Sequence, residues 1–126
     1  MGEPWRVTVP SLVLAALPAC TRSVSAPQDK RLELREQARS ILLKHCGECH
    51  DPKLKTAVPD ALKIFNLGES DWAHRMTDRQ LQNAAWRLTE DLVPTRGSDE
   101  ARPLHVPAEE RRLFDNFVTA EQAARR

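Results

Sequence analysis

Tyrosine is absent, and Phe and Trp together make up only 5% of the 126 residues. A core built from protein alone would therefore be small and short of large side chains. Cysteine is scarce as well. Three thiols cannot build the disulfide framework that supports many small domains, which leaves a metal or a large apolar cofactor as the simplest supplement. An excess of one charge is also missing: 19 Lys and Arg stand against 18 Asp and Glu, interleaved, for a formal net charge of +1. That balance gives no nucleic-acid footprint. Arg125 and Arg126, at a helix C-terminus, would complement the helix dipole and need no partner. No apolar run reaches the roughly 20 residues of a membrane-spanning helix, no repeat is visible, and the length allows one domain.

The apolar run that is present lies at the start. Met1 to Arg6 carries one acid and one base, and Val7 to Leu17 is mostly apolar, the layout of an export signal. It ends in Leu17-Pro18-Ala19-Cys20, which resembles the lipobox of bacterial lipoprotein signals, with Pro18 in place of the usual small residue. The resemblance implies cleavage after Ala19 and lipidation of Cys20; the competing reading is an ordinary signal peptide or a disordered N-terminus in which Cys20 is incidental. With Thr21 rather than an aspartate after the lipidated cysteine, the resemblance implies an outer-membrane anchor facing the periplasm. Residues 20–28, with Thr21, Ser23, Ser25 and Pro27, then read as a tether, and residues 29–126 as the folded domain.

Within that domain three stretches have helical periodicity. Asp29 to His45 places Leu34, Ala38, Ile41 and Leu42 on one face behind a possible Asp29 cap. Thr77 to Leu92 opens with a capping box, Thr77 to Gln80, and continues with Leu81, Ala85, Leu88 and Leu92 on one stripe, leaving Trp86 off it. Ala108 to Ala124 follows Pro107 and aligns Leu113, Phe114, Phe117, Ala120 and Ala124. A short helix can start at Asp60, and Val93 to Val106 reads as a loop. The fold class expected is all-α, with three to four helices.

The chemistry is concentrated in Cys46-Gly47-Glu48-Cys49-His50, the Cys-x-x-Cys-His pattern of covalent haem attachment. Two thiols on one tight helical turn can reach the two vinyl groups along a porphyrin edge, and the next residue's imidazole then projects beneath the ring toward iron. A zinc site would share these residues but lacks a second close-spaced ligand pair. A redox dithiol lacks its βαβ context, and a structural disulfide between Cys46 and Cys49 is a further alternative.

On this motif and the helix order, residues 29–126 resemble the class I cytochrome c family, small all-α electron carriers with one covalent haem c and its iron. In that family a proline carbonyl accepts the proton on the far nitrogen of the haem-binding imidazole. Val58-Pro59-Asp60-Ala61-Leu62 is similar to the segment that supplies it, without its glycine, so the resemblance implies that Pro59 orients His50. The alternative for Pro59 is simple helix initiation. The family's distal methionine sits in a Met-Pro pair before the last helix, where this chain has Val93-Pro94, and valine cannot bind iron.

The second iron ligand is therefore open among Met76, His105, His74 and an unfilled position; Met76 can equally be a hydrophobic staple onto Leu81. Trp72, Phe65, Phe114 and Phe117 would pack on the haem or simply on each other. The function expected is a monomeric one-electron carrier between redox partner proteins, not an enzyme, held to the membrane through Cys20. Its rivals are a haem-based ligand sensor or minor peroxidase, and a zinc-binding or structural lipoprotein domain.

Overall fold

In a computed structural model, Gly2 and residues 26–90, 92–94, 101–103 and 105–126 are described, the side chains of residues 26, 92–94 and 101–103 excepted. Cys20 and the signal-like segment lie outside the described residues. The elements run α1 (Ala26–His50), α2 (Pro59–Ile64), α3 (Trp72–Arg75), α4 (Asp78–Thr89), β1 (Leu92–Pro94), β2 (Ala101–Pro103) and α5 (Ala108–Ala124). Among the described residues, none of these helices is long and apolar enough to cross a membrane.

α1 is longer than its periodicity implies at both ends. It starts three residues before Asp29, inside the expected tether, because Pro27 falls in the first turn, where a missing N–H is harmless. Asp29 thus complements the dipole from within the first turn rather than capping it. No later proline interrupts the helix, so it continues through the whole cysteine motif to His50.

α4 is entered through the capping box: the Thr77 side chain accepts from the Gln80 amide, and the Gln80 side chain accepts from the Thr77 amide at 2.8 Å. α5 spans the expected residues, with Pro107 at its cap. Besides α1, three elements depart from the sequence reading: α4 ends at Thr89, short of Leu92, which lies in β1, and two further elements were not expected. A single-turn helix, α3, forms around Trp72, and the expected loop after α4 contains an antiparallel ribbon pairing Leu92 with Pro103, Val93 with Arg102 and Pro94 with Ala101. The ribbon has only three residues on each side, too few for an alternating pattern to announce it.

α1 packs along α5, α4 packs on α5, and α2 lies against α1. Ala38, Ile41 and Leu42 meet Leu81, Ala84 and Leu88 of α4 and Phe114, Phe117 and Val118 of α5 in one core, closed by Leu67, Trp72, Ala73, Met76 and Val106. Phe117 is central to its aromatic part, with Trp72 and Phe114 each at 5.4 Å between ring centroids. Trp86 stands 56% exposed, as its position off the stripe implies.

One charge is buried in this interface. Glu121, 1% exposed, accepts two bonds from Arg35, from Nε at 2.6 Å and from Nη2 at 2.9 Å. The fork satisfies both carboxylate oxygens and registers α5 on α1; without it a bare carboxylate would be left in the core.

Candidate functional site

The last turn of α1 carries Cys46, Cys49 and His50, and the chain that follows consumes the carbonyls a helix end normally leaves free. Gly47 O accepts from the Asp51 amide at 2.9 Å, Glu48 O from the Thr56 hydroxyl at 2.7 Å, Cys49 O from the Val58 amide at 3.1 Å, and His50 O from the Leu67 amide at 3.0 Å. All four last carbonyls are thus bonded, and the loop is wrapped under the motif. Gly68 makes that wrap possible. A Cβ there would come within 2.4 Å of Pro52 Cγ, so only a glycine lets the returning loop lie against the Pro52 ring. Arg39 on α1 secures the same loop by donating Nε to Leu67 O at 2.9 Å.

His50 is oriented by this loop. Its Nδ1 lies 2.9 Å from Phe65 O, and its ring stacks on the Phe65 ring with centroids 3.6 Å apart and planes 3° from parallel. A carbonyl can only accept, so Nδ1 carries the hydrogen; in the neutral ring, Nε2 then keeps its lone pair. Burial pushes the imidazole below its ordinary pKa, against the opposing pull of the Phe65 and Ala61 carbonyls, and so favours that neutral form. The carbonyl at Nδ1 therefore belongs to Phe65 and not to Pro59. Pro59 is the exposed first residue of α2, where its fixed φ starts the helix, which is its simpler role.

Cys46 and Cys49 are free thiols, both half-buried. Cys46 packs against the core, and its thiol is pushed up to about 11, chiefly by burial; the Arg87 guanidinium on α4 opposes the shift and Cys49 adds to it. The large apolar side chains exposed among the described residues are Leu32 and Leu43 of α1, Leu54 in the loop after the motif, Ile64 of α2 and Trp86 of α4.

The remaining histidines are placed apart from this arrangement. His45 is turned toward α5, with Nε2 2.6 Å from Glu110 Oε2, an acid that also accepts from Lys44 at 2.7 Å. His74 and His105 are exposed. Met76 is 1% exposed, in the same core as Leu81. Trp72, Phe114 and Phe117 pack on each other, whereas Phe65 pairs with His50. Among the described residues, no three His, Cys, Asp or Glu side chains converge as a metal cage.

A haem fits the donor set on two counts visible here: two free thiols lie one helical turn apart, and the adjacent imidazole, with Nδ1 on a carbonyl, carries its lone pair on Nε2 in the neutral form. The sequence pattern pointed to all three residues. It named Phe65 only as a packing ring and missed its carbonyl's role, and it missed Arg39, Arg87 and the Arg35–Glu121 pair, whose long-range contacts carry no local signature. Glu121 did leave a trace, since it falls on the Phe114–Phe117 face of α5. No family model, curated protein or solved structure matches the chain.

Proposed function

We propose that this protein is an exported c-type cytochrome, a one-electron carrier whose haem is joined to Cys46 and Cys49 and bound at iron by His50 and Met76. The observation that carries the reading is the state of His50: its Nδ1 is spent on a backbone carbonyl, immediately after two free thiols on the same helical turn. Such a bond fixes the ring's rotation and raises the basicity of the other nitrogen, as in other metal-binding histidines. Bound haem supplies a reversible one-electron iron couple, the electron arriving from one redox protein and leaving to another. The chain's own part is to anchor, to orient His50 and to exclude water. Exposed Leu43 and Leu54, which flank the motif in sequence, support this, because a large planar apolar ligand would shield them.

Met76 is the distal ligand in this proposal. It is buried, on a short link between α3 and α4, whereas His74 and His105 are open to solvent and His45 is committed to Glu110. The anchor proposed is a lipid on Cys20, holding the domain on the periplasmic side of the outer membrane.

The full chain, produced in cells competent for cytochrome maturation, should gain the mass of one porphyrin and keep its haem absorbance through denaturing electrophoresis. A colourless product of polypeptide mass would refute the proposal. Replacing Cys46 and Cys49 by Ser should abolish the covalent colour, and Met76→Ala should remove the methionine-to-iron charge-transfer band. Mass spectrometry of the mature N-terminus should find acylated Cys20.

A further inference from the structure

Met76 is held by very little of its own neighbourhood. It closes α3, only four residues long, in extended backbone (φ −71°, ψ 134°), and Thr77 continues extended (φ −71°, ψ 160°) before α4 begins. A one-turn helix leaves its last carbonyls without partners, and a two-residue extended link adds no ladder of its own. The side chain is nevertheless 1% exposed in the core, so something outside the segment determines where its backbone lies.

That role falls to Arg125, which follows α5. Its Nη1 donates to Met76 O at 2.7 Å and to Asp78 Oδ1 at 2.9 Å, and its Nη2 donates to Ala73 O at 2.6 Å. One planar guanidinium therefore ties α3, the link and the first residue of α4 to the C-terminal helix. The Arg125 side chain is only 22% exposed, which limits competition from water.

We infer that Arg125 is the positioning residue for the distal ligand: its fork sets the backbone of Met76 and so the place from which the thioether can reach iron. The inference rests on Met76 being that ligand. It adds a function to a residue whose sequence context explains only helix-dipole complementarity. Lysine would keep the charge but cannot span two carbonyls with a rigid fork.

The test uses the full, haem-loaded protein and reads the imidazole concentration that displaces methionine from ferric iron, followed by loss of the charge-transfer band. In Arg125→Ala that concentration should fall about tenfold, as expected for losing charge-assisted bonds that hold the segment. Arg125→Lys should fall in between, and it carries the same comparison should the alanine variant fail to accumulate. Glu121→Gln weakens a different tie between α1 and α5; it should lower the melting temperature while shifting the imidazole concentration less than Arg125→Ala does. Wild-type imidazole sensitivity in both Arg125 variants, with the band intact, overturns the inference alone, as does equal sensitisation by Glu121→Gln. A wild-type spectrum without the methionine band overturns the reading of Met76 and the inference together.

Discussion

The two sides of the candidate haem site are secured by different means. On the His50 side, most ties are local in sequence: the loop that follows α1 returns its own amides and a hydroxyl to the four last carbonyls of that helix, and Phe65, 15 residues on, holds the imidazole. On the Met76 side, the segment is gripped from a helix 49 residues away, through a single guanidinium. Local bonding makes the first side rigid from within, because each bond closes a short loop at small entropic cost. The second side can be only as well placed as the packing of α5 on α1 and α4 allows.

That contrast can be broken at several points. The largest effect should come from Glu121→Ala, which leaves Arg35 unpaired beside the core and removes the register of α5 on α1; about 3 kcal/mol of stability should be lost in urea unfolding. Since Arg125 caps α5, this variant should loosen the Met76 side before the His50 side, visible as earlier hydrogen exchange in residues 72–78 than in 46–50. Simultaneous exchange would mean that the two sides are held alike.

Next is Gly68→Ala, which drives a methyl into the Pro52 ring on the His50 side. A loss of about 1–3 kcal/mol is expected, as for other overpacked positions; an unchanged melting temperature would mean that the loop is not held against Pro52. Thr77→Ala should cost about 1 kcal/mol by removing the cap of α4, a purely local contribution to the Met76 side.

The smallest effect concerns pH. Lys44 first, and then His45, hold the Glu110 carboxyl below the usual carboxylate range. The unfolded chain therefore takes up this proton more readily than the folded one. The pair's contribution is present above the ordinary carboxylate pKa and is lost as pH falls through the lowered value. Because the site is partly open to water, Glu110→Gln should cost only a few tenths of a kcal/mol near neutrality and should flatten that part of the acid limb.

Much of this was legible in the order of residues. The capping box at Thr77 and Gln80, the aromatic face of α5 and the exposure of Trp86 follow from helical spacing, and each is found. The start of α1 was misplaced because Asp29 has the chemistry of a cap, yet Pro27 can begin the same helix two residues earlier in the chain. The sequence does not reveal which carbonyl meets Nδ1, because a carbonyl has no side-chain signature; that depends on the path of the loop, which brings Phe65 rather than Pro59 to the ring. The ribbon of β1 and β2 is too short to declare itself by alternation.

By itself, the sequence determined the helical class and the grouping of Cys46, Cys49 and His50, because helical periodicity and a five-residue motif are local properties that spacing encodes directly. Tertiary structure alone decided that Arg35 neutralises Glu121, that Phe65 orients His50 and that Arg125 holds Met76. Those pairings join residues 15 to 86 positions apart, and they exist only once hydrophobic packing has brought the helices together and excluded the water that would otherwise satisfy the same groups.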